Sequence, residues 1–156
     1  MATIHFIVHA VPIAQPRQRV TVRNGQPHTY TPTQHPVNAF KATLRMALAA
    51  AYSGAPLEGP LVLSCVFVLP RPKAKVWKTK PMPREPHLIK PDLSNLLKST
   101  EDAMTGLAWK DDCQVFAYPV AGKWIASGNE QPHVDITFSD CRGANNEAAD
   151  VAGGEA

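Results

Sequence analysis

The stretch from Lys90 to Gln114 reads KPDLSNLLKSTEDAMTGLAWKDDCQ. Its apolar residues recur with the 3.6-residue period of an α-helix, which predicts one buried face. The members of that face are Leu93, Leu96, Leu97, Thr100, Ala103, Met104 and Leu107. Ser94, Lys98 and Asp102 lie on the opposite side and follow one another at intervals of one helical turn. We therefore predict a single amphipathic helix with a polar stripe on its outer side.

Acidic residues stand at both ends of this predicted helix. Asp92 is at its first turn, where a side-chain oxygen can cap free backbone N–H groups. Gly106 is suited to ending the helix. Asp111 and Asp112 follow after one more turn of chain, and we expect them to return close to the helix. Acids gathered around Lys98 are what a magnesium-dependent site for phosphodiester cleavage needs, because Mg²⁺ prefers oxygen ligands.

The same residues match the motif of a known family. They read Lys-Pro-Asp-Leu-x-Asn-Leu-x-Lys over residues 90–98, Asp-Ala over 102–103 and Trp-x-Asp-Asp-x-Gln-Val over 109–115. This pattern resembles the RusA family of Holliday-junction resolvases. The family usually carries a second acid two residues after the first, and this chain has Ser94 in that place.

The resemblance implies a fold, an activity and a partner. The implied fold is an α+β domain, single and compact, with a mixed sheet and two main helices, and it forms a homodimer. The implied activity is a Mg²⁺-dependent endonuclease that resolves four-way DNA junctions by paired nicks, in DNA recombination and repair. The setting would be bacterial, or that of a bacteriophage or prophage. We expect this domain to cover residues 1–138.

The resemblance also gives roles to individual residues. Asp92, Lys98 and Asp112 are expected to be catalytic, and Asp92, Asp111 and Asp112 to be metal ligands. Lys98 lies more than one turn after Asp92, where it could meet the scissile phosphate or its developing charge. From the residues alone, the adjacent acids could instead be an ordinary solvated loop between a helix and a strand.

The sequence leaves open the roles of three residues, Ser94, Asn95 and Asp102. A hydroxyl is a poor Mg²⁺ ligand beside carboxylates, so Ser94 leaves three alternatives. The metal site is weaker, or Asp111 or Glu101 compensates, or the protein binds junctions without cutting them well. Asp102 could simply pair with the lysine one turn before it, a contact worth only about 0.2–0.5 kcal/mol.

Basic residues concentrate before the helix and near the N-terminus. Residues 70–91, here called the basic arm, hold six prolines, seven Lys or Arg residues and one acid, Glu85. So many prolines exclude a helix, and we expect the arm to follow the DNA backbone. Trp77 in the arm either stacks on an exposed base or packs the arm onto the domain. The predicted DNA contacts are Arg17, Arg19, Lys73, Lys75, Lys78, Lys80, Arg84 and Lys90.

Patterning predicts the remaining elements. We expect strands over residues 3–10, 20–23, 28–31, 61–69, 115–121, 123–126 and 133–138, and a helix from Pro36 to about Ser53. Asn24-Gly25 predicts a hairpin turn between the second and third strands. The apolar run LVLSCVFVL at residues 61–69 predicts a central strand that is covered on both faces. Residues 139–156 carry four acids and one arginine, and we expect a disordered acidic tail there.

Charge and cysteine content narrow the class of protein. The chain has 156 residues and a net charge of +3, with a basic body suited to polyanionic DNA. Its three cysteines have no metal-ligand spacing, which favours a reducing, cytoplasmic location. No apolar run is as long as a membrane span, so no membrane partner is expected. The alternative function is a branched-DNA-binding module without catalysis.

Overall fold

The computed structural model of this chain describes residues 2–143. Its helices are α1 (Pro36–Ala51) and α2 (Leu93–Met104). Its strands are β1 (Thr3–Val8), β2 (Arg19–Arg23), β3 (Gln26–Tyr30), β4 (Leu61–Leu69), β5 (Glu85–Pro86), β6 (Val115–Ala117), β7 (Ala121–Ile125) and β8 (His133–Asp140). Two short 3-10 turns, Lys73–Lys75 and Asp112–Gln114, lie in the connections before β5 and before β6.

Within these residues, a mixed six-stranded sheet runs in the order β1-β8-β4-β7-β5, and β6 also pairs with β4. The β4 strand is antiparallel to β8 and parallel to β6 and β7. Both helices pack on one face of this sheet, where their apolar residues join those of β1, β4 and β8 in one core. The predicted α+β class, a single domain with a mixed sheet and two helices, is confirmed.

The expectation that β4 is covered on both faces is wrong for its first half. Leu61, Leu63 and Cys65 are fully buried, whereas the alternate residues Val62 and Ser64 are only partly buried. The helices cover one face of the sheet, and the described residues place no second layer over the other. In sequence, a half-exposed strand of apolar and small residues cannot be distinguished from a strand that is covered on both faces.

Among the other differences from the prediction are the end of α2, the start of the tail and one missed strand. Leu107 is 43% exposed, because α2 ends at Met104 and the helical period no longer applies beyond it. Ser139, the predicted start of the tail, lies inside β8 because that strand continues its pairing with β4 to Asp140. The predicted tail from residue 144 onward lies outside the described residues. β5 was missed, since only its pairing with β7 makes Glu85-Pro86 a strand.

Candidate active site

The polar stripe of α2 points outward because the opposite face of the helix is tied to the body. Leu96 and Met104 are fully buried in the core. The Ser99 hydroxyl donates a hydrogen bond to the Ile13 carbonyl at 2.6 Å. The backbone N–H of Gln15 donates to the Asn95 carbonyl at 2.9 Å. The chain that leaves β1 therefore runs along α2 and holds its first two turns.

Asp92 occupies the N-cap position of α2, but its side chain makes no capping hydrogen bond. The expectation that its carboxylate caps the helix is therefore wrong. The residue is exposed and lines a concave surface together with Arg17, Lys90, Pro91 and Asn95. Its carboxylate oxygens remain available, and two of the predicted DNA-binding cations lie beside them.

Lys98 joins two segments of the candidate site. Its Nζ lies 2.9 Å from Asp102 Oδ1 on the same helix and 3.5 Å from Asp112 Oδ2 on the 3-10 turn that follows α2. The hydrogen bond to Asp102, with the charges of both acids, raises the pKa of Lys98. Asp102 also lies 3.9 Å from the Nζ of Lys41 on α1. The ordinary pairing of Lys98 with Asp102 therefore exists, and Asp112 is added to it.

Asp111 has a structural partner of its own. Its Oδ1 accepts a hydrogen bond from the Cys113 N–H at 2.9 Å, and this bond holds the pKa of the carboxyl below its usual range. The Gln114 side chain completes a capping box by accepting from the Asp111 N–H at 2.9 Å. Gln114 also donates to the Leu57 carbonyl at 3.0 Å. The turn is thereby fixed, with Asp111 and Asp112 facing different partners.

Glu101 is a buried acid next to this cluster, and it was predicted only as a possible substitute for the acid missing at Ser94. The hydroxyl of Tyr118 donates a hydrogen bond to its Oε1. Burial raises the pKa of Glu101, the charges of Asp112 and Asp102 raise it further, and the Tyr118 hydrogen bond opposes the shift. Seven residues separate Glu101 from Ser94, so both lie on nearly the same side of the helix. Because helical spacing groups Glu101 with the exposed Ser94, no local signal in the sequence predicts its burial.

Lys123 was missed in the sequence and holds the start of the motif. Its Nζ donates to the carbonyls of Ile89 and Pro91, each at 2.6 Å. These bonds anchor the residues that immediately precede Asp92. Nothing in the local pattern of β7 indicates this role, because both partners are more than thirty residues away in the chain.

The basic arm is folded around Arg71. Its guanidinium donates to the carbonyls of Lys75 at 2.7 Å and Pro83 at 3.0 Å, and it pairs with Glu85 Oε2 at 3.1 Å. Its Cζ also lies 5.3 Å from the centroid of the Trp77 ring, close enough for a cation–π contact. Trp77 packs within the arm while remaining 38% exposed.

The predicted DNA-binding cations fall into two groups. Arg84 is already paired with Glu130, and Lys75 lies 3.6 Å from Glu85. The arm's remaining exposed lysines, those at residues 73, 78, 80 and 90, make no ion pair within the described part of the chain. Arg19 is exposed on β2. The assignment of these eight residues to DNA stays a prediction.

The candidate metal ligands are chemically suited to Mg²⁺ but are not gathered into a cluster. Asp92, Asp111 and Asp112 offer only carboxylate oxygens, which this ion prefers. Asp92 has no capping bond that would occupy its oxygens. Across residues 2–143, however, no three His, Cys, Asp or Glu side chains lie close enough together to hold a metal ion. The catalytic and ligand roles of these acids and of Lys98 also stay predictions.

Comparison with known proteins identifies the family. Residues 10–138 match the sequence model of the family described as Endodeoxyribonuclease RusA. The chain belongs to the RusA endodeoxyribonuclease family. It is also similar to the uncharacterised protein YqaN of Bacillus subtilis (strain 168). The two are 30% identical over 145 residues, which make up 90% of this chain and 98% of that protein. The predicted family and the predicted class of enzyme, a hydrolytic endodeoxyribonuclease, are confirmed.

The described residues contain two α-helices, α1 and α2. Neither α1 nor α2 is long and apolar enough to cross a bilayer.

We expect the Glu101→Gln variant to gain stability relative to the wild type as pH rises. Folding raises the pKa of Glu101 above its ordinary 4.5, so the folded chain binds this proton more tightly than the unfolded chain. The wild type should therefore lose stability relative to the variant from about pH 4.5 upward, through the folded pKa. The measurement is the free energy of unfolding in urea for both proteins across this range.

Tyr118→Phe is the matched control for that series. It removes the hydrogen bond that lowers the pKa of Glu101 and leaves the carboxyl in place. The relative loss of stability with pH should then extend to higher pH than in the wild type. Parallel stability curves for the wild type and Glu101→Gln would show that Glu101 is not held in a desolvated position.

Proposed function

We propose that this protein is a Mg²⁺-dependent endonuclease that resolves four-way DNA junctions by paired nicks, in DNA recombination and repair. Its membership of an endodeoxyribonuclease family supports cleavage of DNA. The observation that carries the assignment of the site is the exposed side of α2. There the Lys98 ammonium contacts Asp112, and the uncapped Asp92 lies beside Arg17 and Lys90.

In this proposal, Asp92 and Asp112 would hold Mg²⁺, with Asp111 as a third ligand or as a support for the turn. When bound, Mg²⁺ would polarise a phosphoryl oxygen and lower the pKa of a bound water. The raised pKa of Lys98 keeps its ammonium protonated, so it can bind a phosphate oxygen. Asp102 orients the Lys98 side chain through their 2.9 Å hydrogen bond.

The proposed partner is a branched DNA molecule held by cations on both sides of the site. Arg17 and Lys90 are beside Asp92, and Lys73, Lys78 and Lys80 project from the basic arm. Lys75 and Arg84 would have to exchange a carboxylate partner for a phosphate, which reduces their net contribution to DNA affinity. The arm is supported by the buried Arg71, so its lysines extend from an ordered base.

The proposal includes a homodimer in a bacterial or phage-infected cytoplasm. A two-fold axis would present two equivalent sites to the two equivalent strands of a junction. Paired nicks follow from that symmetry, since each protomer would cut one strand.

Asp92→Asn should abolish junction cleavage and leave junction binding intact. The amide removes one negative oxygen ligand without changing the basic surface. Mutation of a residue that hydrogen-bonds a metal ligand typically lowers metal affinity or activity about 10–100-fold. Loss of the ligand itself should therefore lower the cleavage rate by more than about 100-fold. The measurements are nicking of a synthetic four-way junction with Mg²⁺ and binding of the same DNA without it. Cleavage by Asp92→Asn at the wild-type rate would remove Asp92 from the site.

Ser94→Asp should lower the Mg²⁺ concentration needed for half-maximal cleavage. The new carboxylate would lie one turn before Lys98, on the polar side of the helix. At about 6 Å from a divalent ion in a water-like dielectric, one added charge is worth roughly a tenfold change in affinity.

The matched comparison is the same Mg²⁺ titration on Ser94→Asn, which adds similar bulk without charge. An unchanged requirement in Ser94→Asp would mean that another acid already compensates, with Glu101 the first candidate. Absence of cleavage by the wild type and Ser94→Asp at every Mg²⁺ concentration would favour the binding-only alternative.

Replacement of Lys73, Lys78 and Lys80 by Ala should weaken binding to all branched DNA and reduce its salt dependence. Each lost phosphate contact lowers the log–log salt slope by about 0.9, so three contacts should lower it by about 2.7. Arg84→Ala is the comparison. The Arg84 guanidinium is already paired with Glu130, so its removal should change the salt slope less. Equal slopes for the triple variant and the wild type would mean that the arm does not touch phosphate.

A further inference from the structure

β2 and β3 form a two-stranded ribbon that is separate from the main sheet. The strands pair in register from Arg19↔Tyr30 to Arg23↔Gln26. Asn24 and Gly25 connect them with φ angles of 52° and 74°, as a two-residue hairpin turn requires. Every residue of both strands is exposed except Thr21, which is partly buried. Neither the core nor the candidate active site accounts for this ribbon.

The two faces of the ribbon differ in chemistry. Because side chains alternate along a strand, register assigns Arg19, Thr21, Arg23, Gln26, His28 and Tyr30 to one face. We call this the cationic face. Its residues Thr21, Arg23, His28 and Tyr30 line one shallow concave surface. The opposite face carries Val20, Val22, Pro27 and Thr29.

The ribbon starts at the edge of the candidate site. The chain is tied to α2 through the Ile13 carbonyl and the Gln15 N–H. Arg17 then lines the concave surface that contains Asp92, and β2 begins two residues later. Its five residues span roughly 14 Å, because four steps of about 3.4 Å separate the first residue from the last. At about 3.4 Å per base pair, that reach corresponds to roughly four base pairs.

We propose that the cationic face of this ribbon is a second DNA-binding surface, which contacts a groove of a duplex arm within roughly four base pairs of the scissile bond. This inference rests on the proposed function, which places DNA at the candidate site beside Arg17. Two arginines, one histidine and three hydrogen-bonding side chains on one face are complementary to phosphates and base edges. A two-stranded ribbon also fits the major groove of B-DNA.

Charge supports DNA as the occupant of this face, in preference to a second copy of the chain. The first acid in the sequence is Glu58, so neither the ribbon nor the segments that flank it carry a carboxylate to repel phosphate. A second copy would have to neutralise Arg19 and Arg23. The exposed Val20 and Val22, at 65% and 69% exposure, would suit an apolar contact better, and they are on the other face.

The test compares two double variants of the full chain. Arg19→Ala with Arg23→Ala removes both arginines of the cationic face. Val20→Thr with Val22→Thr changes the opposite face with β-branched residues of similar shape. Binding is measured by fluorescence anisotropy without Mg²⁺, over a series of NaCl concentrations, on a synthetic four-way junction and on a linear duplex.

We expect the arginine variant to lower the salt slope by about 1.8, at about 0.9 per lost phosphate contact, on both DNAs. The valine variant should keep the wild-type slope and affinity. Thermal unfolding checks that both remain folded, and Arg19→Gln with Arg23→Gln provides a second version that keeps polar side chains in the strand.

An unchanged slope in either arginine variant would overturn the proposal. The proposal would also be overturned if the valine variant alone lost DNA binding and its mass in sedimentation were halved. That result would assign the ribbon to self-association. Failure of the proposed function is a separate outcome. If the wild type never cuts a junction, yet the arginine variants still lower the slope, the ribbon remains a DNA-binding surface and only its placement beside a scissile bond is lost.

Discussion

The contact of one ammonium group with two carboxylates connects the parts of this molecule. Lys98 lies on α2, whereas Asp112 belongs to the turn that leads into β6, and the two meet at 3.5 Å. Asp102 holds the same ammonium at 2.9 Å, and Lys41 extends the cluster to α1. The outer side of α2 is thus joined to the next segment by charge, while its inner side is joined to the sheet by apolar packing. The apolar packing supplies most of the stability of this attachment, because a surface ion pair contributes little.

The distribution of acids along α2 follows from that arrangement. The polar stripe has a neutral residue at Ser94 and a negative one at Asp102, and Glu101 adds a buried carboxylate close to Asp102. Burial of an acid beside two others is unfavourable, as the raised pKa of Glu101 reflects. The Tyr118 hydroxyl offsets part of that cost by donating a hydrogen bond. On α2, negative charge is therefore concentrated in the C-terminal half of the helix, away from Asp92.

Periodicity and motif spacing were sufficient to predict most of the fold. The stripe of α2, the Asn24-Gly25 turn and the apolar run of β4 each express a local rule, so each could be read without knowing the rest of the chain. The errors arose where contacts with residues distant in the sequence decide the structure. β5 exists only through β7, and the open face of β4 depends on the absence of a second layer among residues 2–143. Leu107 was misassigned because the helix ends one turn before the apolar pattern does.

The candidate site was predictable in its residues and less so in their contacts. The motif identified Asp92, Lys98 and Asp112, but it did not indicate that Asp92 leaves its helix uncapped or that Asp111 caps the following turn. Lys123 and Arg71 bind carbonyls of segments distant in sequence, so no local pattern reveals them. Each uses a buried or half-buried cation to fix a proline-rich segment that cannot supply its own backbone N–H donors. The exposed cations of the basic arm are thereby held on an ordered support. Preorganised charge of this kind binds a polyanion at a smaller entropic cost than flexible lysines would.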